Sequence, residues 1–160
     1  MTDKKKKRPV ISSLVEAVRP ARPGPLASTP SQRGLYGTQG IASPSNTPGA
    51  RVLAISWIDA AGNLWLFGGD GFDSIGQLGQ LNDLWKYSGG QWTWVGGSNI
   101  IGRQGTYGTL ATPAQTNIPG SRTQGPGWVD GSGHLWLFGG DGYDGNGTLG
   151  YLDDLWRYQQ

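Results

Sequence analysis

The 160-residue sequence predicts an all-β protein made of two four-stranded antiparallel units, the second of them incomplete. Three observations carry this. The first is composition: 29 Gly, 10 Pro and 8 Trp stand against only 15% charged residues, a mixture of turn formers and large aromatics that suits short strands joined by many turns. The second is an internal repeat, because a shift of 71 residues aligns Gly49–Tyr87 with Gly120–Tyr158 with 22 of 39 positions identical. The third is the apolar run Leu64-Trp65-Leu66-Phe67, repeated as Leu135-Trp136-Leu137-Phe138. It does not alternate with polar residues, so both faces of that strand are expected to be covered.

Taken in order, residues 1–33 read as a basic, Pro-rich disordered leader. They hold eight Lys/Arg and two acids, a net +6, whereas residues 34–160 hold five Lys/Arg and nine acids, a net −4. The sequence pI near 9.0 therefore describes the leader and not the domain, and no specific nucleic-acid partner is expected. The run Lys4–Arg8 is read as a solvated tail ahead of an import signal or an anionic-surface tether. The stretch between Pro9 and Arg19 is too short and too polar for a secretory core, and no stretch reaches membrane-spanning length.

The first repeat is assigned to residues 34–104 and the second to 105–160. Within the first, Val52–Ile58 reads as a strand, Asp59–Asn63 as a glycine-bearing turn and Leu64–Phe67 as a strand closed by Gly68-Gly69. A loop over Asp70–Gln80 leads to a strand at Leu81–Tyr87, and Ser88-Gly89-Gly90 turns the chain into Gln91–Val95. The second repeat ends at Gln160 before an equivalent of that last strand. Four-stranded sheets stacked face to face around an axis are the blades of a β-propeller, so a partial propeller is the expected architecture.

The hydrophobic run ending in Gly-Gly, followed by the spaced Tyr87 and Trp92, resembles the kelch repeat over roughly residues 34–160. The unit departs from that pattern in its length, through the insert at 96–124, and in the missing Trp half of the second copy. The resemblance implies propeller blades and a binding scaffold. It also touches copper radical oxidases that act on sugars, but those need a Tyr–Cys cross-link and histidine ligands. This chain has no cysteine and one histidine, His134, so no enzyme activity and no cofactor are expected.

Other motifs carry less. Gly145, Gly147 and Gly150 match a dinucleotide fingerprint, but a strand rather than a helix is expected to follow. Asp59 and Asp130 read as turn formers, and His134 as a turn residue without the companions of a metal site. Arg51 with Asp83, and Arg122 with Asp154, recur at the same offset and are expected to pair; an anion site is the alternative. Trp65, Trp85, Trp136 and Trp156 are expected in the core, and Trp92 and Trp94 toward an outer surface.

Because connections alternate between the ends of an antiparallel blade, the loop 70–80, its counterpart 141–151 and the connection 96–124 are expected at one end. The candidate binding residues there are Asp70, Phe72, Asp73, Asp141, Tyr143 and Asp144. A calcium site at these aspartates needs several converging oxygens, but the EF-hand spacing is absent and Asx turns account for them. The expected function is a non-catalytic scaffold for a protein partner. A carbohydrate-binding or sugar-processing module is the alternative, and a truncated duplicate without selected function a third. Propellers need about four to eight blades, so self-association or membership of a larger propeller is also expected.

Overall fold

The computed structural model describes residues 31–159. The leader assigned to 1–33 falls almost wholly outside the described residues. Those residues contain no helix, and hence none long and apolar enough to cross a membrane. They form two antiparallel sheets.

The first sheet holds β1 (Arg51–Val52), β2 (Ile55–Ile58), β3 (Leu64–Phe72), β4 (Leu78–Ser88) and β5 (Gln91–Gly96). β1 and β2 both pair with β3 and are two pieces of one edge strand, so the sheet is a four-stranded blade with an interrupted first strand. The second holds β6 (Arg122–Thr123), β7 (Gly127–Val129), β8 (Leu135–Tyr143) and β9 (Leu149–Tyr158), with no strand paired to the outer edge of β9 among the described residues. The architecture is thus two blades of an open β-propeller, the second without its fourth strand.

Three local expectations are corrected. The strand read over Val52–Ile58 breaks at Leu53, whose φ of 57° turns the chain aside; Gln124, at the same place in the second blade, has φ 63°. The strand read as ending at Phe67 runs on to Phe72, because Gly68 and Gly69 (φ 62° and 96°) form a bulge that shifts the register and lets pairing resume. As a result the loop read over Asp70–Gln80 shrinks to residues 73–77, and its counterpart over 141–151 to 144–148.

Cross-strand pairing puts Ile55, Trp57, Trp65, Phe67 and Leu84 on one face of the first blade. That face packs on Leu135 and Leu137 of the second blade, with Val95, Val129 and Trp156 at the margins of the cluster. Trp57 Nε1–H donates to the Trp136 carbonyl, Gln124 N–H to the Leu53 carbonyl and Asn82 Nδ2–H to the Pro119 carbonyl, while Trp65 meets Tyr158 with ring centroids 5.4 Å apart. Full burial of each such Leu or Phe stabilises the pair by about 1.5–3 kcal/mol.

Sequence patterning implied two covered faces for both apolar runs, and the structure covers one of each. Trp65 and Phe67 are buried while Leu64 is exposed; Leu135 and Leu137 are buried while Phe138 is exposed. The reason is that each blade has a single neighbouring blade.

Candidate functional site

The repeated polar residues assemble first. In the first blade Arg51 sits in β1 and Asp83 in β4, 32 residues apart, and the antiparallel sheet brings them side by side. Arg51 Nη1 and Nη2 donate to Asp83 Oδ1 and Oδ2 at 2.6 and 2.8 Å, a bidentate fork that fixes both planes. Arg51 also donates to the carbonyls of Gly49 and Gly68, tying the glycine bulge to the edge strand. Tyr36 Oη–H and Trp85 Nε1–H complete the carboxylate at 2.6 and 2.7 Å. Burial, then the adjacent Asp83 carboxylate, push the Tyr36 hydroxyl far above its ordinary pKa.

The second blade repeats the network with Arg122, Asp154, Tyr107 and Trp156, and with the Gly139 carbonyl at the bulge. Here burial opposes ionisation of Asp154, but the hydrogen bonds from Arg122, Tyr107 and Trp156 outweigh it and hold the carboxyl below its usual range. Partial burial and Asp154 push Tyr107 up to about 12. The pairing expected for Arg51–Asp83 and Arg122–Asp154 is therefore within each blade. The anion-site alternative is overturned, because both guanidinium groups are buried and committed to carboxylate and carbonyl oxygens.

Tyr36 and Tyr107 were not singled out from sequence. Their signal was present: Tyr36-Gly37-Thr38 and Tyr107-Gly108-Thr109 sit at the repeat offset, as do Asn46 and Asn117. The segment read as part of a long insert therefore contains the second copy of this Tyr-bearing loop, each copy closed by one isolated bridge, Leu35 to Thr47 and Thr106 to Ile118.

The six binding-face candidates fall at one end of the blades, but not all in loops. Asp70 and Phe72 lie at the end of β3, and Asp141 and Tyr143 at the end of β8; all four are half-buried, opposite Gln80, Leu78, Tyr151 and Leu149 respectively. Only Asp73 and Asp144 occupy the tight loops. Asp73 is fully buried: Oδ1 accepts from the amides of Ile75 and Gln77, and Oδ2 from Ile101. Asp144 Oδ1 accepts from Asn146 and Thr148, and those amides hold its pKa below the usual carboxylate range. These are Asx turns, and no cluster of potential metal ligands occurs among the described residues.

The connection after β5 reaches the same end: Ser74 N–H donates to the Asn99 carbonyl, and Gly102 N–H to that of Gln80. This end exposes the apolar Ile75, Leu78 and Leu149 beside the polar Gln77, Asn146 and Thr148. The opposite end holds the short turns. Asp59 there accepts from Ala61 and Asn63 amides, Asn63 Nδ2 and Trp65 Nε1, and Asp130 likewise from Ser132, His134 and Trp136. The His134 ring lies 2.8 Å from Asp130, within its own turn. The glycine fingerprint at Gly145–Gly150 runs into strand β9.

Of the tryptophans, Trp65 and Trp85 are buried, Trp136 and Trp156 half-buried, and Trp92 and Trp94 half-buried on β5 against Trp85, Tyr87 and Tyr36. A cavity of about 510 Å³ opens between the blades, walled by Phe67, Leu84, Leu137 and Trp156. Comparison of the chain with protein-family models finds no match, and comparison with curated proteins finds none.

Proposed function

We propose that this chain is a non-catalytic, kelch-like scaffold that holds a protein partner on the blade end carrying loops 73–77 and 144–148 and the connection 97–121. The observation that supports it is the division of labour at that end. The aspartates are consumed in holding their own loops, while Ile75, Leu78 and Leu149 stand out into solvent. Loops already ordered by internal hydrogen bonds lose little entropy on binding, and exposed apolar side chains gain by leaving water. The absence of catalysis is supported by the chemistry on hand: the one histidine is tied to Asp130, and the Arg–Asp pairs are buried frame elements.

Photo-crosslinking side chains at Ile75 and Leu149, with controls at Ala60 and Ser132 on the opposite end, test the reading. A discrete protein adduct from the first pair alone is expected. Adducts from the control positions only, or saccharide binding on a glycan array with no protein adduct, would overturn it.

A further inference from the structure

Most of the residues that form the contact between the two blades recur on the chain's two outer blade faces. In the internal interface the first blade contributes Trp57, Phe67 and Leu84, which are 7%, 4% and 9% exposed. Their identical counterparts one repeat later, Trp128, Phe138 and Leu155, are 45%, 44% and 55% exposed. The receiving side behaves in the same way: Leu135 is buried inside the interface, and its counterpart Leu64 is exposed on the far face of the first blade beside Ile58. Along β9 the exposed positions alternate, Tyr151, Asp153, Leu155 and Arg157, whereas Leu81–Trp85 of β4 is buried on both faces. The outer sheet face of the second blade is therefore uncovered, and that of the first blade is uncovered along its β2–β3 edge, at Ile58 and Leu64.

We infer that these faces bind each other between copies of this chain, head to tail, so that the exposed face of the second blade docks on the first blade of another copy in the register of the internal interface. The contact is heterologous, joining two different surfaces, so it propagates and can close into a ring; two blades per copy give a ring of two to four copies for about four to eight blades. The internal contact supplies the details. Trp57 Nε1–H donates to the Trp136 carbonyl, and Trp128 Nε1–H, which has no acceptor among the described residues, takes the Trp65 carbonyl of the next copy. Trp65 meets Tyr158 internally, and Trp136 meets Tyr87 of the next copy.

The copied contact is weaker than its template at three points. No strand beyond β9 among the described residues supplies a counterpart of Val95. Pro126 stands where the template has Ile55, and Asp153 replaces Asn82, so the amide bond from Asn82 to the Pro119 carbonyl has no counterpart. Association is accordingly concentration-dependent, and it uses the blade faces rather than the loop end proposed to hold a partner.

Light scattering of the full chain tests this. The wild type is expected to rise with concentration above the 17.0 kDa of one chain. Phe138→Lys spoils one face and Leu64→Lys the other, both at exposed positions, so each variant alone should need at least a tenfold higher concentration to associate. Mixed in equal amounts, the intact face of each meets the intact face of the other and gives a complex of two chains. A wild type that stays at single-chain mass at high micromolar concentration, a single variant that associates as the wild type does, or a mixture no heavier than its components would each overturn the inference. Circular dichroism checks folding, with Leu155→Lys and Ile58→Lys as replacements if either variant unfolds.

Discussion

Trp57 reaches out of the first blade and donates its indole N–H to the backbone carbonyl of Trp136 in the second, at 2.9 Å. A side chain of one sheet thereby satisfies the main chain of the other, and the indole plane fills the space against Gly127, where a Cβ would come within 2.6 Å of Trp57 Nε1. The two blades are registered by this contact as well as by apolar burial.

Trp57 and Trp128 should therefore differ sharply although they are equivalent in sequence. Trp57→Ala removes a buried aromatic and is expected to cost about 3–5 kcal/mol. Trp128→Ala removes a half-exposed one and should cost less than about 1 kcal/mol in dilute monomeric protein. Urea unfolding of both variants provides the measurement, and equal losses would contradict the packing described.

The two Arg–Asp networks should also be unequal. Asp83 is fully buried, and Asp83→Ala strands the buried Arg51 charge, a change expected to cost about 3–5 kcal/mol. The Asp154 side chain is 15% exposed, so water can compensate Arg122 in Asp154→Ala and the loss should be smaller. Thermal midpoints of the two variants, compared with the parent, check the order.

At the glycine doublet, Gly69 has φ 96° and an added Cβ would lie 2.6 Å from the Val52 carbonyl oxygen. Gly69→Ala should therefore cost well above the roughly 1 kcal/mol of an ordinary left-handed glycine replacement, because backbone must move. Gly89, at φ 56° in the Ser88–Gly90 turn, has open space around it, and Gly89→Ala should stay near that figure. Denaturant midpoints with unchanged slopes would establish the contrast.

Acid sensitivity should be traceable to the short turns. Burial works against ionisation of Asp59, but hydrogen bonds from Trp65, Asn63 and the turn amides prevail and lower its pKa from 3.8 to about 2. A depressed folded-state value means the stabilisation is complete above the unfolded pKa near 4 and disappears as pH falls through about 2. Melting temperature measured from pH 5 down to pH 2 should fall, and Asp59→Asn should start lower and fall less steeply. Parallel profiles for the two proteins would show that Asp59 contributes no such linkage.

Strand order, the 71-residue offset and the Asp59 and Asp130 turns were legible in the sequence because they depend on local chemistry. Aspartate satisfies nearby amides, glycine accepts positive φ, and β-rich runs between such residues have few alternatives. The extension of β3 through Gly68-Gly69 was not legible, since a glycine doublet reads as a stop unless the strand across the bulge is known. Nor was the commitment of Tyr36 to Asp83, 47 residues away, which depends on how a loop folds back over a sheet. The clearest division lies in the two copies of Leu-Trp-Leu-Phe. Sequence determined that both would be apolar strands, and it is the same in each. Tertiary structure alone decided that Trp65 and Phe67 are buried in one copy, and Leu135 and Leu137 in the other. Burial is a relation between two surfaces, and each blade has its single neighbour on the opposite side.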